Sequence, residues 1–197
     1  MISTYTGKLV RLRPWANFAE YHRVITCDYQ APDPFRGPRW WPIPAREPDF
    51  ELRGEIGPEA YSQLAIEELP TGEAIGIAGH SAFKLGLLAV NFGTYILPDY
   101  RFRGYGVEAK QLALCRLFEN FPLEAVRANT TAPHRRARRS MELCGLKQYG
   151  RLRRVGIADG RFYDEVQYEI YRPDWELLPI RRRVKRGYVA AVRGVMS

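Results

Sequence analysis

The sequence predicts an α/β fold in which helices flank a mixed, mostly antiparallel sheet. Three observations carry that reading. Stretches with strand-like alternation recur along the chain, and pairs of them are joined by tight turns such as "PTGE" and "ADGR". Between them lie three segments whose apolar residues return at spacings of three and four, the period of a helix. Finally, the two patterns interleave, giving the order β-α-loop-β-β-β-α-β-α-β-β.

Taken in order, "KLVRLRPW" alternates and stops at Pro14, which makes Lys8–Arg13 the first strand. A helix follows from Trp15 to about Thr26, with Phe18, Tyr21, His22 and Ile25 on one face. From Asp28 to Glu59 periodicity disappears, and the stretch holds seven prolines, three glycines and the pair Trp40-Trp41. A segment this long inside a compact domain carries function or conceals short helices. Residues 61–69 and 74–83 form a hairpin, and a further strand runs from Leu87 to Leu97, ending at Pro98. The helix opened by Gly104 and Gly106 extends to about Asn120. Val107, Leu114, Leu117 and Phe118 form its core face, widened by Ala109, Leu112 and Ala113. Residues 124–130 are a short strand, and "PHRRARRSMELCG" is a third helix closed by Gly145. "RLRRVGI" and "FYDEVQYEIY" make a hairpin on an Asp-Gly turn. Residues 1–175 thus form one domain, and 176–197 an appended basic tail.

With 197 residues, 46% of them hydrophobic and 26% charged, the composition is that of a globular domain. No apolar run approaches the ~18 residues that a membrane span needs, and the N-terminus lacks an apolar signal core. Cys27, Cys115 and Cys144 are odd in number and form no CxxC pair, which suits reduced thiols in a cytoplasm. The net charge of +8 favours anionic partners. Much of it lies in "HRRARR" (134–139) and "RRRVKR" (181–186), which are either anion-binding tracks or solvated basic surface.

The stretch Arg101-Phe102-Arg103-Gly104-Tyr105-Gly106 opens a helix with two glycines one residue apart. Glycines there let main-chain N–H groups approach a ligand closely. The helix start adds unpaired donors and partial positive charge, a combination suited to pyrophosphate. Arg101 and Arg103 can add charge-assisted contacts. The stretch fits the pattern R/Q-x-x-G-x-G/A. Together with "LPDYR" before it, and "SMELCGL" and "DGRFYDEVQYEI" after it, it resembles the GNAT superfamily of acyl-CoA-dependent N-acyltransferases. The likeness is to the branch containing ribosomal-protein N-terminal acetyltransferases and many small-molecule acetyltransferases. It spans about Gly7 to Trp175 and leaves the 28–59 insertion and the tail outside.

The resemblance implies acetyl-CoA or another acyl-CoA as co-substrate, no metal, and strands that splay at the cofactor site. Pantetheine would meet Thr94, Tyr95 and Ile96 of the strand "NFGTYIL", with Gly93 permitting a bulge. Phe102, Tyr105 and His134 belong to the same cofactor side. The acceptor, a small-molecule amine or a peptide N-terminus, would lie against the 28–59 loop. Phe35, Trp40 and Trp41 would wall its pocket, and Asp28, Asp33, Glu47 and Asp49 would suit a cationic amine.

The proton-handling positions of the family pattern are altered. Asn91 stands where relatives often carry Glu, and Arg127 stands at a second acidic position. By the resemblance, His134, Ala137 and Met141 replace the usual Asn, the usual Ser and the Tyr that acts as general acid in some branches. Base work therefore falls to His80, Glu67 or Glu68, or to no dedicated base at all, with Asn91 beside the reacting groups. A second reading takes aminoacyl-tRNA as the donor, held by the basic helix 134–144 and the tail 181–186. A third makes the fold a non-enzymatic binding module. The oligomeric state, monomer or homodimer, stays open.

Overall fold

The computed structural model describes residues 2–30, 62–80, 89–158 and 161–189. The described strands are β1 (Ile2–Thr6), β2 (Val10–Arg13), β3 (Ser62–Glu68), β4 (Ala74–His80), β5 (Ala89–Ile96), β6 (Ala125–Thr131), β7 (Lys147–Ala158), β8 (Arg161–Tyr171) and β9 (Lys185–Val189). They form one sheet in the order β7-β8-β6-β5-β4-β3-β2-β1-β9. Every neighbouring pair is antiparallel except β5 and β6. The helices are α1 (Phe18–Gln30), α2 (Tyr105–Asn120), α3 (Arg135–Leu143), and the short α4 (Arg172–Glu176) and α5 (Ile180–Arg183). The mixed, mostly antiparallel sheet with flanking helices is the fold class read from the sequence.

α2 covers one face of the sheet. Ala109, Leu112, Ala113, Leu114, Leu117 and Phe118, the stripe predicted from their spacing, are buried against Val10, Leu12, Ile66, Val90 and Phe92. α1 covers the other face, where Trp15, Tyr21 and Val24 pack on Ala65, Ala74 and Leu97. α1 starts where it does because the Asn17 side chain accepts the Glu20 N–H at 2.9 Å. Glu20 in turn takes two hydrogen bonds from the Arg13 guanidinium, at 2.6 and 2.8 Å, which ties the helix to β2. Burial pushes the Glu20 carboxyl up, but Arg13 and the Ala16 N–H outweigh it and hold the group below the usual range.

Three expectations are corrected. The sequence reading missed β1, because "ISTYT" shows little alternation and its strand character comes from pairing with β2 and β9. The stretch after Glu176 is no appendage through Val189. β9 pairs antiparallel with β1 from Ile2↔Val189 to Thr6↔Lys185, and Ile180 and Val184 join the core. Two arginines of the 181–186 cluster fasten this stretch. Arg186 pairs with Glu119 at 2.5 Å, and Arg181 lies 4.5 Å over the Trp175 ring. Gly93 makes no bulge: it pairs in register with Gly79.

Candidate active site

β5 is paired unequally on its two sides. With β4 it stays in register from Phe92 to Ile96. With β6 it pairs in parallel only over Ala89–Asn91, against Ala125–Arg127. Beyond Arg127, β6 runs on to Thr131 bound only to β8. The two strands therefore part at Asn91 and Arg127, so that beyond this point Phe92–Ile96 are laddered to β4 and Ala128–Thr131 to β8, but not to each other. Buried backbone N–H and C=O groups demand partners, so such an opening suits an extended ligand that carries amides.

The glycine loop stands at the wide end of this opening. Gly104 is the N-cap of α2 with φ +85°, in the left-handed region that glycine enters without strain. Phe102 also has positive φ, +66°, and is 89% exposed, an uncommon conformation for a bulky side chain. Among the described residues, the N–H groups of Phe102, Arg103, Gly104, Tyr105 and Gly106 donate to no protein acceptor; the first loop donor that does is Val107, to the Gly104 carbonyl at 3.1 Å. Successive unpaired N–H groups at a helix start form an anion cradle. Tyr105 anchors the loop by donating to Glu68 at the end of β3, a bond that holds the Glu68 carboxyl below its usual range and raises the Tyr105 phenol.

Of the predicted rim arginines, Arg103 is exposed and lies over the Tyr100 ring at 5.8 Å. Arg101 turns away from the loop, donating to the Ile96 carbonyl at 3.0 Å with its guanidinium 5.3 Å over Tyr95. Across the opening, His134 caps the start of α3 and its Nδ1 lies 3.2 Å from Thr130 Oγ1 at the end of β6. Arg136 of α3 reaches back over the Phe102 ring at 5.4 Å, bridging the two sides. Arg138 is a structural residue, donating to Tyr168 and to the Ala132 carbonyl.

The residues weighed for proton transfer separate onto different faces of the sheet. Asn91, Gly93 and Tyr95 alternate with Phe92, Thr94 and Ile96 along β5. Phe92 and Ile96 belong to the core beneath α2, whereas Tyr95 packs with the α1 cluster. Asn91 is exposed. His80 pairs with Phe92, is 5% exposed, and sets its ring 5.9 Å from that of Phe121, so it lies on the α2 face within the core. Glu67 is engaged by Arg11 and Arg13, and Glu68 by Tyr105 and Thr71. Arg127 lies 3.4 Å from Glu169 and 5.5 Å under the Tyr149 ring. Phe35, Trp40, Trp41, Asp33, Glu47 and Asp49 lie outside the described residues.

Two residues escaped the sequence reading. Glu108, in the first turn of α2, accepts the N–H groups of Lys8, Leu9 and Val10 at 2.9, 2.7 and 2.8 Å. It clips the β1–β2 turn against the glycine loop, and a Cβ at Gly7 would collide with its carboxylate. Lys110, one turn after Gly106 on the face turned to the sheet, is only 7% exposed and donates to Thr94 Oγ1 on β5. Burial lowers its amine to about 8. A lysine inside the apolar stripe of α2 was a visible signal, passed over because the rest of the stripe read as core.

The residues fit an acyl-CoA: among the described residues, five N–H donors without a protein acceptor for a pyrophosphate, and two strand edges not paired with each other for the arm behind it. The sequence matches the family model described as "Acetyltransferase (GNAT) domain" over residues 10–147. No curated protein matches it at a significant level. Among solved structures, Mycobacterium smegmatis RimJ in complex with CoA-disulfide aligns with a TM-score of 0.73 at 19% identity, over 92% of this chain and 96% of that one. A spermidine N-acetyltransferase SpeG chimera from Vibrio cholerae and hSSAT gives 0.72 at 14% identity, over 87% and 100%. A GNAT-family acetyltransferase from Bacillus anthracis gives 0.68 at 17%, over 85% and 98%. These likenesses share the fold, and the family match covers most of the chain. An open sheet that parts beside a glycine-opened helix, in a chain whose residues 10–147 match that family's model, makes this protein a member of the GNAT acetyltransferases, an N-acetyltransferase.

Proposed function

We propose that the protein transfers an acetyl group from acetyl-CoA to a primary amine of a small molecule or a peptide N-terminus. The observation that carries this reading is the opening between β5 and β6, which runs from Asn91 and Arg127 to the five unpaired N–H groups of the glycine loop. When bound, acetyl-CoA supplies the activated acyl group. The loop around Gly104 and Gly106 holds the pyrophosphate by main-chain donors, with Arg103 adding charge. Thr94, Tyr95 and Ile96 offer main chain to the pantetheine arm, and His134, Arg136 and Phe102 border the nucleotide side.

The acceptor amine approaches from the face that bears Asn91 and Tyr95, with α1 and the 28–59 segment, including Phe35, Trp40 and Trp41, forming its pocket. His80 lies on the other face, and both strand glutamates are committed to ion pairs or hydrogen bonds. That supports a mechanism without a dedicated carboxylate base, in which Asn91 accepts a hydrogen bond from an amine that arrives neutral and is held for attack. Likeness to a structure of RimJ in complex with CoA-disulfide supports the donor, and likeness to a spermidine N-acetyltransferase supports a small-molecule amine as acceptor.

The test is thiol release from acetyl-CoA across a panel of polyamines, amino acids and peptide N-termini. Acceptor-dependent release, reduced in Asn91→Ala and unchanged in His80→Phe, is the expected result. Release lost in His80→Phe but retained in Asn91→Ala would overturn the assignment of faces.

A further inference from the structure

Lys110 poses a problem that neither the core nor the cofactor loop explains. Its side chain is more than nine-tenths buried, yet no carboxylate pairs with it, and among the described residues its hydrogen-bond acceptor is Thr94 Oγ1 alone. An ammonium carries three N–H donors, so two remain without a protein partner. A buried charge left this poorly coordinated is costly unless something else completes its shell.

Its position says what that is. Thr94 belongs to the part of β5 that pairs with Ala78 on one side and has no partner in β6 on the other. The Lys110 Nζ is thus held at the floor of the opening, beneath α2 and between the glycine loop and the point where the strands part. The groups acting on it are few. Thr94 comes from the sheet, Arg136 from α3 and Cys144 from the C-cap of α3. Arg136 repels its charge, and the Cys144 thiol, pushed up to about 12 by burial, stays neutral beside it. Met141, where the family resemblance implies a tyrosine acid in some branches, is buried and has no proton to give.

We infer that Lys110 is the acid of the reaction, giving its proton to the coenzyme A sulfur as the thioester breaks. This rests on the acyl-CoA reading above. As the acceptor nitrogen bonds to the acyl carbon, the carbon–sulfur bond breaks and its electron pair goes to sulfur. Lys110 Nζ passes one proton to that sulfur and becomes a neutral amine, and the proton shed by the acceptor nitrogen restores it through solvent. Burial brings the lysine from 10.5 down to about 8, which makes the buried ammonium a stronger acid than an ordinary lysine and eases proton transfer to a departing thiolate.

The experiment reads the thiol rather than turnover. Free coenzyme A and desulfo-coenzyme A are titrated onto wild-type protein, Lys110→Met and Thr94→Val. The ionisation of the bound thiol is then followed by thiolate difference absorbance against the desulfo complex. In the wild type the ammonium lowers the bound thiol by about one unit or more from its ordinary value, and Lys110→Met abolishes the shift. Thr94→Val, which frees the amine, reduces it. Desulfo-coenzyme A binds wild type and Lys110→Met alike, which also shows that the variant folds. An equal thiol value in wild type and Lys110→Met, with both binding, overturns the inference and leaves the donor reading standing. So does an acetyl group found on Lys110 by peptide mass after incubation with acetyl-CoA, since the amine is then an acceptor. Failure of the wild type to bind either coenzyme overturns the donor reading and the inference together.

Discussion

Removing residues 177–197 should cost this protein much of its stability, although the sequence suggests an appended tail. The segment contributes Ile180 and Val184, 9% and 6% exposed, to the main core. Burying an aliphatic side chain of this size is worth ~1.5–3 kcal/mol, so the two together supply ~3–6 kcal/mol as an upper estimate. The Arg186–Glu119 pair is partly exposed, at 44% and 22%, and adds at most about 1 kcal/mol. The truncation also strips β9 from β1 and uncovers Trp175, which is 2% exposed and stacked on Phe118. Against a total of roughly 5–15 kcal/mol, that loss is a large fraction. Equilibrium urea unfolding of the full chain and the 177–197 deletion measures it. A 177–197 deletion within about 1 kcal/mol of the full chain would refute the reasoning. Because Glu119 sits at the end of α2 remote from Gly104, the fraction that stays folded should bind acetyl-CoA with full affinity.

Three further outcomes are expected. Gly104→Ala forces an L-residue into φ +85° at a cost of ~1–2 kcal/mol and should weaken acetyl-CoA binding about tenfold. Gly106→Ala, whose Cβ would meet Ile96 Cγ1 at an ordinary 3.5 Å, should leave affinity unchanged; calorimetric titration compares the two. Glu108→Ala orphans three N–H groups at the β1–β2 turn and should cost ~2–4 kcal/mol, or roughly 5–15 °C of melting temperature by calorimetry. Lys110→Met should stabilise the protein at pH 7 by up to about 3 kcal/mol, from the lowering of the amine from 10.5 to about 8. Below pH 8 both folded and unfolded wild type hold the proton and the burial penalty is full. Between pH 8 and 10.5 the folded state releases it while the unfolded state keeps it, so the wild type gains stability and the advantage of Met narrows. Denaturant midpoints of the pair at pH 7 and pH 10 test the sign.

What the sequence makes legible here is what local pattern encodes. The apolar stripe of α2 and the Gly104 N-cap follow from spacing and from glycine's backbone freedom, and the antiparallel pairing of β7 with β8 is expected from the Asp-Gly in the sequence between them, which lies outside the described residues. What stayed hidden depends on long-range pairing. "ISTYT" and "KRGYV" become strands because each is the other's partner at the sheet edge, and no residue in either announces it. The unequal pairing of β5 was expected only through family likeness, since nothing in "NFGTYIL" shows where its hydrogen bonds to β6 cease. His80 read as a plausible base because a strand end gives no hint of which face it lies on. Its pairing with Phe92 decides that. The basic clusters read as either anion-binding tracks or solvated surface, yet Arg138, Arg181 and Arg186 are spent on Tyr168, Trp175 and Glu119.

The central claim is that the opening between β5 and β6 and the glycine loop together hold acetyl-CoA by both its arm and its pyrophosphate. Calorimetric titration of the full-length protein with acetyl-CoA and, in parallel, with acetylpantetheine, which lacks the pyrophosphate, tests it most directly. The account predicts saturable one-site binding of acetyl-CoA and a much weaker response to acetylpantetheine, with the difference reduced in Gly104→Ala. Equal affinity for the two ligands, or no binding of acetyl-CoA at all, would contradict it.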